Sequence, residues 1–325
     1  MPSDESLLRS ISTTETEGSS VTGRSIKKSS HPKNDLDQSV WKIASIFLFC
    51  ALGWALSIIV LVLLHKDPCP NTPISPKNEE DVTNEPKIFV ITPTYARPER
   101  MADLTMLAQV LMHVKNLHWL VVEDGGRIAE PVARLLQRSN IEHTYFSAVT
   151  PDYLPKRGWA QRNAALFHLR DQYINYKDQA LVYFADDDNS YDHRVFHEYI
   201  RKVKRLGVWA VGLAGTSRVE APRVENNTVV GWDVYYRPHR KYAVDMAGFA
   251  VSLRLVLRSL ALFGKECVGH DPEDCFLRQL SVPMNELEPF GCDNDPKDIL
   301  VWHTKTVVSK MRGETYGYVF EEKNV

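Results

Sequence analysis

No excess of basic residues, no internal repeat and no Cys-x-x-Cys pair occurs in the 325 residues of this chain. Each absence removes a class of protein. Lys plus Arg number 39 against 41 Asp plus Glu, giving a formal net charge of -2 and a pI near 6.6. A nucleic-acid binder would carry a basic excess on at least one face. The five cysteines lack paired metal-ligand spacing, which argues against a structural zinc site. A mean hydropathy of -0.28 excludes a polytopic membrane protein. Hydrophobic residues make up 44% and charged ones 25% of the chain. That ordinary balance excludes a wholly disordered or fibrous chain and leaves room for one large domain or two small ones.

The apolar residues are unevenly spread. Residues 1–40 hold 14 Ser and Thr and no aromatic. Such a stretch buries too little apolar surface to offset its ordering entropy, so 1–42 reads as a disordered tail. Residues 43–64 (IASIFLFCALGWALSIIVLVLL) form an uncharged run of 22 residues, long enough as a helix to span a bilayer core of ~20 residues. Lys27, Lys28, Lys33 and Lys42 precede it, and only Lys66 and Lys77 lie close behind. The positive-inside rule therefore predicts a cytoplasmic N-terminus and a type II signal-anchor, with the bulk of the chain outside or lumenal. Residues 65–85, rich in Pro, Asn and acid, read as an extended stem. Residues 86–325 are the expected globular part.

Within that part, short apolar runs alternate with helical spacing. Ile88–Ile91, Trp119–Val122 and Ala180–Ala185 read as strands covered on both faces. Met101–Val114, Glu130–Arg138 and Asn163–Tyr173 read as helices. Alternation of this kind predicts an α/β domain with a mostly parallel sheet, whose ligands gather beyond the carboxyl ends of the strands. Polar groups follow each strand: Pro93, Thr94 and Tyr95 after the first, Asp124 after the second, and Asp186, Asp187 and Asp188 after the third.

The aspartate triplet is the strongest local signal. Three adjacent carboxylates repel one another unless a cation or arginines offset them, and a hard divalent ion bridging to a diphosphate would do so. A solvated acidic turn is the plainer alternative. The prenyltransferase pattern D-D-x-x-D is excluded, since Ser190 and Tyr191 occupy the last positions. Arg157 and Arg162 could bind phosphate, a sugar carboxylate or the aspartates, or be surface charge. His303 and Lys305 follow the apolar Ile299–Val301 and could meet a departing phosphate. Glu273, at the expected start of a helix, suits either a dipole-complementing role or a general base. Asn226-Asn227-Thr228 is an N-glycosylation sequon on an expected turn, with Asn226 the acceptor. Cys50 sits in the apolar run. Cys69 is placed to link two chains in an oxidising lumen, a free thiol being the alternative. Spacing does not decide how Cys267, Cys275 and Cys292 pair.

The strings VITPTYARPER, LHWLVVEDGG, RGWAQRNAAL, YFADDDNSY, VDMAGFAVSL and LVWHTKT, in this order from about Lys87 to Lys310, resemble the β-1,3-glucuronosyltransferases of glycosyltransferase family 43. The resemblance implies a GT-A fold: a Rossmann-like UDP-sugar half over about 86–190 joined to an acceptor half over about 191–325. It implies Mn²⁺-dependent, inverting transfer of glucuronate from UDP-glucuronate to the 3-hydroxyl of a terminal galactose. It further implies a Golgi membrane location and a homodimer. Pro93, Thr94, Tyr95 and Asp124 would hold the uridine, Arg157 and Arg162 the donor, and Asp186 and Asp187 its sugars. His303 and Lys305 would face the diphosphate. Asp188 would be the metal ligand and Glu273 the base, while Glu220, Tyr236, Arg240 and Asp245 would bind the acceptor.

Four positions depart from the family pattern. Lys305 stands where Arg is usual, Tyr236 where the linkage-region enzyme has Trp, and Asp274-Cys275 where Glu is more often followed by Ser-Ser. Phe290–Lys297 differs in sequence and length. Candidate acceptors are the Gal-Gal-Xyl stub of proteoglycans or an N-acetyllactosamine end. A GT-A transferase with another donor or acceptor, or a lectin-like inactive relative, is the rival reading.

Overall fold

The computed structural model describes residues 41–42, 45, 47–57 and 85–307. By their contacts these fall into two units, Met1–Ser75 and Pro76–Val325. In the first, the described residues between 41 and 57 are helical and exposed. No helix among the described residues is long and apolar enough to cross a membrane. Residues 43–44, 46 and 58–64 of the expected span lie outside the described residues, as do residues 1–40 of the tail and Cys69 in the stem.

In the second unit the expected alternation of strand and helix is present. Strands β1 (Lys87–Thr94), β2 (Leu117–Asp124), β3 (Glu142–Ala148) and β4 (Ala180–Phe184) are separated by helices α1 (Arg100–Leu111), α2 (Glu130–Ser139) and α3 (Trp159–Gln172). The first two strands and β4 are the apolar runs read from the sequence. β3 is not among them, because EHTYFSA lies on the sheet edge with none of its residues fully buried. Helix α3 starts four residues before the expected Asn163. It begins at Trp159 behind Gly158, so Arg162 lies within the helix.

The main sheet has seven strands. Beyond β4 it continues through β10 (Phe249–Ser252), β6 (Leu206–Val208) and β11 (Glu288–Pro289), in the order β11-β6-β10-β4-β1-β2-β3. β4, β1, β2 and β3 are parallel, whereas β10 runs antiparallel to both β4 and β6. Strand pleating sends alternate residues to opposite faces. Phe89, Ile91, Val182 and Phe184 pack with Trp159, Leu166 and Leu169 of α3. Ile88, Val90, Leu181 and Tyr183 pack with Leu104 and Leu107 of α1 and with Val132 and Leu136 of α2. Both clusters draw on residues before and after position 190.

A second, five-stranded sheet carries β5 (Ser190–Tyr191), β7 (Val211–Gly212), β8 (Val219–Glu225), β9 (Thr228–Asp233) and β12 (Val301–Trp302), ordered β5-β12-β7-β8-β9. β12 joins β5 antiparallel, and His303 N–H donates to the Gly212 carbonyl at 2.9 Å. These contacts set the residues after β12 beside those after β4. Two further helices complete the unit, α4 (Leu253–Arg258) and α5 (Pro272–Leu280). α5 has proline in its first turn, where the missing N–H costs nothing.

Candidate active site

Three parallel strands end on one edge of the main sheet, and residues at or just past their ends line a cavity of about 360 Å³. Pro93 and Thr94 end β1 with Tyr95 next, Asp124 is the last residue of β2, and Asp186, Asp187 and Asp188 follow β4; Arg157 and Arg162 also line the cavity. Adjoining it is a larger cavity of about 700 Å³, which shares Arg157, Arg162 and Asp186. Glu220, Tyr236, Arg240, Asp245, Glu273, His303 and Lys305 all line this second space. The residues named from the sequence for the uridine, with Asp187 and Asp188, line the first space; those for the acceptor, with Glu273, His303 and Lys305, line the second; Arg157, Arg162 and Asp186 line both. Asn226 is apart from both.

The three aspartates have different surroundings. The Asp186 carboxylate pairs with the Arg162 guanidinium. Asp187 receives the Thr94 hydroxyl at 2.8 Å and pairs with Arg97 at 2.8 Å. Burial pushes Asp187 up to about 6 while Arg97 and Thr94 hold it down, so at neutral pH it stays ionised and paired. The same pairing keeps Arg97 above its ordinary value despite burial. Asp188 accepts from Thr306 N–H at 3.2 Å and has no ion pair among the described residues. Among the described residues no cluster of three or more His, Cys, Asp and Glu is arranged to hold a metal. One free hard carboxylate at a cavity edge is nevertheless the donor set that a small divalent ion uses when substrate phosphates and water fill its other positions.

Arg97 went unnoticed in the sequence although it stands in VITPTYARPER. Its guanidinium also lies 4.8 Å from the Tyr95 ring centroid and pairs with Asp103 at 2.8 Å. Asp124 accepts from the hydroxyl of Thr150 at 2.8 Å and from its N–H at 3.2 Å. Arg162 donates to the Arg157 carbonyl at 2.9 Å. Gly158, in the left-handed region at φ 72°, permits this approach. A Cβ there would lie 2.8 Å from Pro93 and 2.9 Å from Arg162 Nη1.

In the larger chamber His303 Nδ1 and Asp245 Oδ2 are 2.7 Å apart, and this bond raises the imidazole above its ordinary value. The other Asp245 oxygen accepts from Ala247 N–H at 3.0 Å, which orients the carboxylate. Glu220 is buried with one carboxylate oxygen unpaired, and burial raises it. Its nearest cation is Arg240 at 3.8 Å. Tyr236 is flanked by Arg237 and Arg240, whose guanidinium carbons lie 5.4 and 5.5 Å from the ring centroid. Arg237 and Asp271, paired at 3.4 Å, also escaped the sequence reading. They lack a recognisable local motif.

Glu273 sits in the first turn of α5. Its side chain keeps a partly exposed face on the chamber but is otherwise enclosed by protein. Burial and the nearby Asp245 charge push it to about 7, against the pull of its own backbone N–H, Arg240 and Arg162. A carboxylate titrating near neutrality in a chamber that also holds arginines suits proton abstraction at physiological pH.

Cys267 and Cys275 form a disulfide, resolving the pairing that spacing left open, whereas Cys50 and the half-buried Cys292 are free. Asp274 accepts from Tyr242 N–H at 2.8 Å. Asn226 and Asn227, at φ 48° and 59°, form the exposed two-residue turn between β8 and β9. The expected turn at the sequon is present.

The sequence profile described as Glycosyltransferase family 43 matches residues 107–307. The chain is 47% identical over 235 residues to galactosylgalactosylxylosylprotein 3-beta-glucuronosyltransferase 1 of Homo sapiens, covering 68% of this chain and 69% of that protein. It is 40% identical over 251 residues to galactosylgalactosylxylosylprotein 3-beta-glucuronosyltransferase 2 of Canis lupus familiaris, covering 74% and 71%. With the human form of the latter it shares 42% over 230 residues, covering 68% and 69%.

Proposed function

The chain belongs to glycosyltransferase family 43, and from that premise we propose that it transfers glucuronate from UDP-glucuronate to the 3-hydroxyl of a terminal galactose, with inversion and with Mn²⁺. We propose the Gal-Gal-Xyl stub of proteoglycans as acceptor, ahead of N-acetyllactosamine ends, because the relatives above are named for galactosylgalactosylxylosylprotein. The observation that carries the reading is Glu273, held near 7 on a chamber that opens onto the aspartate–arginine chamber.

In this reading the chain has a GT-A fold, with donor and acceptor halves meeting between the chambers. Pro93, Thr94, Tyr95 and Asp124 hold the uridine. Arg157 and Arg162 meet the anionic donor, and Asp186, fixed by Arg162, and Asp187, fixed by Arg97, accept hydrogen bonds from its sugars. Glu220, Tyr236, Arg240 and Asp245 seat the acceptor with its 3-hydroxyl towards Glu273. Glu273 takes the hydroxyl proton as the oxygen attacks the anomeric carbon from the face opposite the departing diphosphate. His303, raised above its ordinary value by Asp245, and Lys305 face the diphosphate side. Asp188 would hold Mn²⁺, which when bound supplies Lewis-acid stabilisation of the charge growing on UDP. Positioning and fixed charges account for most of the acceleration.

The test is transfer from a panel of UDP-sugars with Mn²⁺, using Gal-Gal-Xyl and N-acetyllactosamine acceptors side by side. Glucuronate transfer to Gal-Gal-Xyl with the higher kcat/KM is expected. Preference for another UDP-sugar overturns the donor, a reversed acceptor order overturns the acceptor, and sugar binding without release of UDP indicates a lectin-like protein. We further propose a type II Golgi membrane anchor at residues 43–64 with the enzyme lumenal, a homodimer linked through Cys69, and a glycan on Asn226. The apolar run and its flanking lysines support the anchor, and the exposed turn supports the glycan.

A further inference from the structure

The two residues after Glu273 both tie the start of α5 to other parts of the fold. Asp274 accepts from Tyr242 N–H at 2.8 Å. Cys275 is bonded to Cys267, which is fully buried in the same core cluster as Phe263 and Phe276. The bond spans a sequence separation of eight, and every residue from Val268 to Glu273 within it lines the larger chamber.

Beyond helix α5 itself, the contacts that hold that segment are few. Asp271, at the N-cap position of α5, makes no side-chain cap bond; its carboxylate turns instead to Arg237 at 3.4 Å and Arg240 at 3.9 Å. Gly269 takes φ 86°, and a Cβ added there would meet nothing within 4 Å. Short backbone bonds remain: Val268 N–H to Lys265 O at 3.1 Å, and His270 N–H to Cys267 O and Cys275 N–H to Asp271 O, both at 3.0 Å. The last two each involve a bonded cysteine.

We propose that the Cys267–Cys275 disulfide is a positioning device for Glu273, fixing the chamber wall from Val268 to Glu273 so that the carboxylate meets the acceptor hydroxyl. The proposal rests on the reading of Glu273 as the base. A cross-link two residues from the reacting carboxylate acts on kcat, because small misplacements of a reacting group cost up to ~100-fold. The groups facing Glu273 come from elsewhere: Arg162 on α3, Arg240 after β9, Asp245 before β10, and His303 after β12. Of these only Arg240 is tied to the segment, through Asp271 at 3.9 Å, so loss of the bond moves Glu273 relative to the other three.

The experiment measures kcat, KM and the pH profile of the full-length enzyme before and after reduction with a phosphine, with thiol titration confirming cleavage, and of Cys275→Ser. Reduction acts on protein that has already folded, so it decides the matter if Cys275→Ser fails to fold; if the phosphine leaves the bond intact, the variant decides. The expected result is a ~10–100-fold fall in kcat with KM for UDP-glucuronate within about twofold and the acid limb displaced from near 7. Reoxidation restores the wild type, and the reductant leaves Cys275→Ser unchanged. Unaltered kcat and acid limb after proven cleavage overturn the proposal. Equal loss of donor binding also overturns it, since that marks general structural damage. Full activity of Glu273→Gln would instead refute the underlying reading.

Discussion

Glu273 shows how one position couples stability to activity. Its ordinary carboxyl value is 4.5 and its value in the fold is about 7. Between these pH values the folded chain holds a proton that the unfolded chain has released, so stability falls as pH rises through that window. Activity rises through the same window, because the base must be ionised. Glu273→Gln should therefore reduce transfer ~10²–10⁴-fold while UDP affinity, read by calorimetry, changes little. Above pH 7 the variant should also be more stable than wild type by about 1–2 kcal/mol, after allowance for its partly exposed face. A variant that loses UDP affinity, or melts lower than wild type at pH 8, contradicts this account.

Asp188 differs from its neighbours in lacking an ion pair among the described residues. Asp188→Asn should raise the Mn²⁺ concentration needed for half-maximal activity at least tenfold. The same change at Asp187 should instead lower thermal stability, by removing one of the two carboxylates paired with the buried Arg97. A metal titration and a melting curve on both variants separate the two roles. The sequence marked the triplet but not this division of labour. The partners, Arg97, Arg162 and Thr306, come from three separate stretches of chain.

At the scale of the element, α3 brings Arg162 to the donor chamber, and its start depends on Gly158. Gly158→Ala forces a side chain into the left-handed region against Pro93 and Arg162. The expected cost is about 1–2 kcal/mol of stability and a several-fold weaker UDP affinity, checked by melting and calorimetry. Unchanged UDP affinity would show that the Arg157–Arg162 approach is unimportant to the donor. β1, β2, β4 and the helices between them were legible from the chain because their burial repeats with local periodicity. β3 was not legible, since its position on the sheet edge lets polar and apolar residues mix. The short strands β5, β7 and β12 carry too few residues for any pattern; they exist because residues from 190 to 302 meet in space.

At the scale of the whole molecule, Pro76–Val325 forms its own contact unit. A secreted chain beginning at Pro76 should keep kcat within about twofold of the detergent-solubilised full-length protein. It should also lose electrophoretic mass on glycosidase treatment unless Thr228 is replaced by Ala. A ~10-fold loss of kcat would mean that the N-terminal segment takes part in the site. An unchanged band would refute glycosylation at Asn226 and weaken the case for a lumenal location.

The near-neutral net charge that ruled out a nucleic-acid partner is an average over a cleft in which carboxylates and cationic side chains pair. By itself the sequence determined what local order can encode: the parallel βα start of the domain, the polar residues after each strand, the family, and the residue types at the site. Tertiary structure alone decided which carboxylates are neutralised by arginine and which stays open, and which cysteines bond. It also decided that Glu273 titrates near neutrality. Each of these depends on burial and on charges from distant parts of the chain, distances that only folding sets.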